Sequence, residues 1–203
     1  MAERLSALAE AYPRGDLGAA RGDPGIIIAE RRPLAMVQVT ALSDAAATVR
    51  AAIAAALGIM VAATPNHAIQ KDGVTILWVG PDRWLVVEPD RPGRELVARL
   101  SEALTSTPAV LVDLSHGRTV FRITGRCSRD LLAKGCGIDF HPRAFPAGSC
   151  AQSLLGHVGA LLHAVDEAPS FDLYVARSFA LTVWEWLTES PTEYGCRIEN
   201  AIS

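Results

Sequence analysis

The sequence predicts an α+β protein built from two ferredoxin-like halves of the βαββαβ type. Strand and helix signals alternate from Ile26 onward, and the order of signals in the first half is echoed in the second. Hydrophobic residues make up 50% of the 203 residues, enough for a substantial core. The echo is structural, because no fixed-period self-similarity runs through the sequence. Two such halves can share or exchange strands, so residues 26–203 are read as one compact α+β domain and residues 1–25 as an N-terminal arm.

The arm begins with a short amphipathic stretch (Leu5, Leu8, Ala9) and then turns polar and glycine-rich through Pro13, Gly15, Gly18, Gly22, Pro24 and Gly25. Such a stretch buries little and pairs with nothing obvious in the chain. It is expected to be disordered or laid on a partner.

Leu34 to Thr40 is rich in strand formers, with Val37 and Val39 on one face. Ser43 is expected to cap the next helix, and Asp44 suits a helix N-terminus. Val49, Ile53 and Leu57 form one apolar stripe along it, and Gly58 is placed to end it. His67 to Lys71 and Val74 to Val79 flank Asp72-Gly73, a hairpin signal. Gly80-Pro81-Asp82 turns the chain into a strand from Trp84 to Val87. Pro92 opens a second helix with Leu96, Val97, Leu100 and Leu104 as its stripe, followed by an apolar strand from Ala109 to Leu114.

The second half starts with a strand from Thr119 to Thr124. Gly125 and Ser128 lead into a helix that carries Leu131 and Leu132 and ends near Gly135. Cys150 to Leu155 and Val158 to Val165 form a hairpin about Gly156-His157, and Phe171 to Val175 is a further strand. Ser178 is expected to cap a last helix with Phe179, Val183, Trp186 and Leu187 on one side.

The totals narrow the function. A formal net charge of -3 and a pI of about 5.9 show no basic excess, which argues against a nucleic-acid partner. No apolar run reaches the roughly twenty residues that a bilayer requires. The N-terminus lacks a basic start followed by an apolar stretch, so a cytoplasmic protein is expected. Cys127, Cys136, Cys150 and Cys196 form no C-x-x-C pair and no zinc spacing, and are expected to be reduced, partly buried thiols.

Four segments carry a family resemblance: LWVGPDRWLVV at 77–87, VDLSHGRTVFRITG at 112–125, RDLLAKGCGIDFHPRAFPAGSCAQSLLG at 129–156 and FDLYVARSFALTVWEWL at 171–187. In this order they resemble the gamma subunit family of heterotetrameric sarcosine oxidase, over most of the chain from about Ile26. The resemblance implies a fold like the folate-binding aminomethyltransferase, or glycine cleavage T-protein, domains. It implies a non-catalytic assembly subunit whose partners, the alpha, beta and delta subunits, oxidise sarcosine to glycine. FAD, FMN, NAD, tetrahydrofolate and zinc are expected in those partners and none in this chain; no membrane partner is expected. The alternatives are a stand-alone folate-binding or aminomethyltransferase-like protein, or the equivalent subunit of an N-methylglutamate dehydrogenase complex.

The residues themselves offer little chemistry, and no catalytic, cofactor-binding or metal-binding residue is assigned. Asp113, Ser115 and His116 include the types of a hydrolytic triad, but adjacency is not triad geometry and no G-x-S-x-G elbow surrounds the serine. A strand end followed by a polar turn, with Asp113 or Ser115 bonding backbone amides, is the simpler expectation. His116, His141, His157 and His163 sit near expected turns or strand ends, where a ring can stay partly solvated, and show no metal-ligand spacing. The glycines form neither G-x-G-x-x-G nor a P-loop. Asp82, Glu88 and Asp113 could face a pterin by residue type alone. Of the tryptophans, Trp84 or Trp184 is the candidate to meet a partner, since exposed aromatics mark interfaces.

Overall fold

The structure is a computed structural model that describes residues 5–11, 15–17 and 23–203. The chain separates into two compact units, where the sequence suggested one. A central unit comprises Arg32–Gly117 together with Ser203. A terminal unit is drawn from both chain ends, Met1–Arg31 and Arg118–Ile202.

The chain begins in the terminal unit with β1 (Gly15–Leu17) and β2 (Ile26–Glu30). The central unit follows: β3 (Leu34–Ala41), α1 (Ala46–Leu57), β4 (Ala68–Lys71), β5 (Val74–Gly80), β6 (Arg83–Pro89), α2 (Gly93–Ala103) and β7 (Ala109–Asp113). Its strands form one antiparallel sheet in the order β4-β5-β6-β3-β7. Without the edge strand β4 this is the ferredoxin-like order. Strand alternation turns Val37, Val39, Ile76, Trp84 and Val86 to one face, where they pack with Val49 and Ile53 of α1 and Leu96 and Leu100 of α2. Gly58 ends α1 as expected. It takes a left-handed φ of 67° that costs glycine little, and its N–H donates to the Ala54 carbonyl. The start of α1 differs from expectation. Ser43 and Asp44 both have positive φ, and Ala45 precedes the helix without a side-chain cap.

The terminal unit resumes with β8 (Arg118–Thr124), α3 (Ser128–Gly135), β9 (Cys150–Leu155), β10 (Val158–Asp166), β11 (Ser170–Ala176), α4 (Ala180–Glu189) and β12 (Cys196–Ile198). This is the same strand–helix series as the central unit, with two strands added to the sheet, β2 inside it and β1 at its edge. The order is β1-β12-β2-β8-β11-β10-β9, so β2 lies between β8 and β12 and pairs in parallel with β12. The junction is tight: a Cβ on Gly125, where φ is +107°, would come within 2.4 Å of the Gly25 carbonyl oxygen. The helix-facing core joins Phe121, Ile123, Leu162 and Leu173 to Leu131, Val183, Trp184 and Leu187. Ser178 caps nothing. It lies in a 3-10 turn, Arg177–Phe179, that precedes α4 without a side-chain cap.

The first residues also depart from the expected arm. Among the described ones, Leu8 is fully buried in the terminal core, and Ser6 Oγ donates to the Glu30 carboxylate at 2.7 Å. Trp184 Nε1 donates to the Ala11 carbonyl at 2.9 Å, and β1 pairs with β12. Of the amphipathic signal at Leu5, Leu8 and Ala9, Leu8 alone is buried, in the core that also holds Val183, Trp184 and Leu187 of α4, while Leu5 and Ala9 are exposed. Residues 1–4, 12–14 and 18–22 of the expected arm, with Pro13, Gly18 and Gly22 among them, lie outside the described ones.

Candidate functional site

Strand alternation sets the site. On β8, β10 and β11 the residues Phe121, Ile123, Leu162, Ala164, Phe171 and Leu173 pack toward the helices. Arg118 and Arg122, His163, and Asp172 and Tyr174 therefore share the opposite face. Pairing registers place Cys150 opposite His163, His163 opposite Asp172, and Asp172 opposite Arg122, one row across β9, β10, β11 and β8. Directly opposite side chains in a sheet are near neighbours, roughly 5 Å apart at Cβ.

Asp172 is the hub of the row. Its carboxylate accepts from Arg122 Nε at 2.5 Å and Nη2 at 3.0 Å, and from Arg31 Nη1 at 2.7 Å. Asp172 and His163 are each 1% exposed, Arg31 is 8% exposed and Tyr174 is fully buried, so these bonds are made almost out of water. Three buried polar atoms of the cluster have no hydrogen-bond partner: Arg31 Nε, His163 Nδ1 and the Tyr174 hydroxyl. Arg118, half-buried next to Tyr174's neighbour Val120, has no hydrogen-bond or ion-pair partner among the described residues.

Burial and charge together set the protonation states. Burial works against the charge of Asp172, but Arg122 and Arg31 outweigh it and hold the carboxyl below its usual range. Arg122 is likewise penalised by burial, and the bond to Asp172 more than restores its proton. Burial lowers His163 to about 4, with Arg122 and Arg31 acting in the same direction against the attraction of Asp172, so the ring is neutral near pH 7. Burial raises the Tyr174 hydroxyl well above its ordinary value, and lowers Arg118 from its own. Two guanidiniums thus face one buried carboxylate, and Arg118 lies four residues along β8 from Arg122, near Tyr174.

Cys150, His163 and Asp172 are the residue types of a cysteine nucleophile with its base and orienting acid, but they are not arranged to act as one. The oxygens of Asp172 are taken by guanidiniums, His163 Nδ1 has no partner, and Cys150 is fully buried. The arrangement is suited to holding negative charge.

The residues singled out from the sequence lie elsewhere, with the exception of His163. Asp113 Oδ1 accepts from the Ser115 amide at 2.9 Å, and Ser115 Oγ accepts from the Met36 amide at 3.0 Å, the polar turn expected. Gly93 packs against that turn so closely that a Cβ there would collide with Ser115 Oγ. His116, His141 and His157 are exposed, whereas His163, expected to be partly solvated, is buried in mid-strand. Glu88 accepts from Arg99 at 2.8 Å and pairs with Arg91 at 3.1 Å, and Asp82 forms a positive-φ turn at the opposite end of β6. The three carboxylates proposed by type for a pterin therefore do not converge. Trp84 and Trp184, the two candidates to meet a partner, are 1% and 3% exposed; their indole N–H groups bond the Ala62 and Ala11 carbonyls inside their own units. None of the four cysteines is in a disulfide, and no group of three or more His, Cys, Asp or Glu among the described residues could hold a metal ion. No helix among them is long and apolar enough to cross a membrane.

An open groove of about 400 Å³ runs between α1 and α2, lined by Ala52, Ala55, Ala56, Arg99, Glu102 and Ala103. Its floor is alanine, and its one cation is tied to Glu88, so it offers no converging polar groups.

Comparison with known proteins adds the family. The model of the sarcosine oxidase, gamma subunit family matches residues 42–193. A sarcosine oxidase subunit gamma from Arthrobacter is 31% identical over 92% of this chain and 88% of its own length. One from Corynebacterium strain P-1 is 33% identical over 61% of this chain, an alignment that spans only 59% of that protein. Among solved structures, a chain of heterotetrameric sarcosine oxidase from Corynebacterium U-96 superposes with a TM-score of 0.81 and 27% identity, covering 94% of this chain and 96% of that one. The aminomethyltransferase T of the glycine cleavage system from Bartonella henselae shares the fold, with a TM-score of 0.62 at 10% identity, over 88% of this chain and 48% of that chain.

Proposed function

Because this chain belongs to the sarcosine oxidase gamma subunit family, we propose that it is a non-catalytic assembly subunit of a heterotetrameric sarcosine oxidase, which oxidatively demethylates sarcosine to glycine. Its partners in this reading are the alpha, beta and delta subunits, which carry the FAD, FMN, NAD, tetrahydrofolate and zinc. The observation that carries the reading is the nearly end-to-end match to one chain of a solved heterotetramer. The internal chemistry is consistent with it. The nucleophile-type and acid-type residues are spent on turns and ion pairs within their own units, and the buried carboxylate of the polar cluster is taken by two guanidiniums.

The test is recovery of a tagged copy from its native cells, with an absorbance spectrum and mass analysis. A yellow complex containing three further chains and consuming oxygen with sarcosine is expected, with no turnover by the separated chain. A colourless lone chain would sink the reading. The aminomethyltransferase fold favours one alternative, a free folate-binding protein. That alternative requires tetrahydrofolate, in large excess, to raise the melting temperature of the isolated chain. If sarcosine gave no oxygen uptake and N-methylglutamate reduced the bound flavin, the substrate assignment would pass to the N-methylglutamate dehydrogenase complex.

A further inference from the structure

Buried polar groups in folded proteins are almost always paired, and an unpaired one needs a reason. The terminal unit leaves three such atoms together. The Nε–H of Arg31 can only donate, the Tyr174 hydroxyl can donate, and His163 Nδ1 donates in one tautomer. The residues that carry them are neighbours around Asp172. Arg31 is bonded to Asp172, His163 is directly opposite Asp172 in the sheet, and Tyr174 stands two residues along the same strand face. Arg118 adds an unpaired cation beside Tyr174. Asp172 bonds none of these three atoms, and Arg31 and Arg122 already take three of the roughly four acceptor sites of its carboxylate. Asp166, the next carboxylate to act on Arg122, is exposed and accepts from the Ser170 amide. Surplus donors and surplus positive charge call for the same complement: a negatively charged group with several acceptor oxygens.

We propose that this cluster is a binding site for a small oxyanion, a carboxylate or a phosphate group, held by Arg31, Arg118 and Tyr174 beside Asp172, with His163 as an additional donor. Arg118 is the half-exposed member and forms the entry side. Arg31, His163 and Tyr174 are the buried wall. Asp172 is a positioning residue that fixes the two guanidiniums and narrows the site to a singly or doubly charged ligand. The site stands on the terminal unit's own residues, and it does not depend on the subunit reading above.

The experiment is a melting titration of the full chain, or of the complex if it is recovered as one, with sodium acetate and with potassium phosphate. Each is compared with sodium chloride at equal ionic strength. The expected result is a saturable rise in melting temperature with one of the two anions and none with chloride. Acetate alone identifies a carboxylate site, and phosphate alone identifies a phosphate site. Arg118→Gln and Tyr174→Phe should each raise the half-saturating concentration by about tenfold, as expected for loss of a charge-assisted or well-placed donor. Without anion, Tyr174→Phe should melt at or above the parent, because burying a hydroxyl without a partner costs free energy that the variant is spared. A rise no larger than chloride's, or a titration unchanged in both variants, would overturn the site. So would a high-resolution crystal grown in phosphate and acetate that showed only water against Arg31 Nε and Tyr174.

Discussion

The two units run through the same series of strands and helices, yet they handle charge in opposite ways. In the central unit the ion pairs sit at the margins. Glu88 bonds Arg99, which is 34% exposed, and Arg91, which is 48% exposed. In the terminal unit Asp172 and its two arginines lie inside, in contact with an unprotonated histidine and a buried tyrosine. The units also differ in how their strands are supplied. The central sheet is made of one continuous stretch of chain, whereas the terminal sheet takes β1 and β2 from before that stretch and the rest from after it. The lesson is that a shared fold does not fix where charge is placed. The central unit can lose an ion pair at its surface, while the terminal unit buries one on the sheet face opposite its helix-facing core.

The largest effect should come from Asp172→Ala. It removes the carboxylate and leaves two guanidiniums in a site that excludes water. Breaking a buried pair from one side typically costs about 3–5 kcal/mol. Urea unfolding should register a loss of that size. Native-state hydrogen exchange should show β8, β10 and β11 losing protection while β3, β5 and β6 keep theirs. A loss below about 1 kcal/mol, the range of exposed pairs, would erase the distinction between the units.

Acid should sharpen the same contrast. His163 holds its proton with a pKa of about 4 in the folded chain against 6.5 ordinarily. As the pH falls below about 6.5 the unfolded chain gains a proton that the folded one refuses. Stability is therefore complete above that pH and declines down to pH 4, by at most about 3 kcal/mol. Asp172, held below its ordinary 3.8, adds its own loss only at still lower pH. Asp172, Arg122 and Arg31 are the charged groups acting on the ring. Unfolding free energies at pH 7 and pH 4.5 should differ for the parent chain and much less for His163→Asn. Equal slopes would remove His163 as the cause.

The central unit was legible in the sequence because its signals are local. The turn at Asp72-Gly73, the stripes on α1 and α2 and the stop at Gly58 all refer to residues within a few positions. The terminal hairpin about Gly156 was legible for the same reason. What escaped depends on distant pairing. Leu8 looks like an unattached apolar residue until α4 supplies the core around it, and β12 is three residues long and pairs with β1 and β2 from the far end of the chain. Trp184 and Trp186 show a local ambiguity. Helical periodicity places them on different faces but does not say which face is covered, and the structure covers Trp184 while leaving Trp186 half-buried. The polar cluster did leave a trace. RTVFRIT and FDLYV alternate polar or amphipathic with aliphatic and aromatic residues, which reads as a half-solvated strand when the polar face is in fact buried. Only Asp172, placed opposite Arg122 by the register, turns that alternation into a site.

The smallest effect belongs to Arg99→Ala in the central unit. Glu88 is largely buried, which alone would make the loss of a partner costly, but Arg91 remains beside it and Arg99 reaches it from the solvent side of α2. Screening by water and the entropy of a long side chain limit such a pair to under about 1 kcal/mol. The carboxylate keeps its second cation, so no bare buried charge is created. Unfolding of Arg99→Ala should thus stay within that limit at low salt and approach the parent at 1 M salt, where the screening length is about 3 Å. The Asp172 variant should keep most of its loss in 1 M sodium chloride, because a pair whose carboxylate is 1% exposed is screened far less than an exposed one. If salt erased both effects equally, the difference in burial would not be what separates the two units.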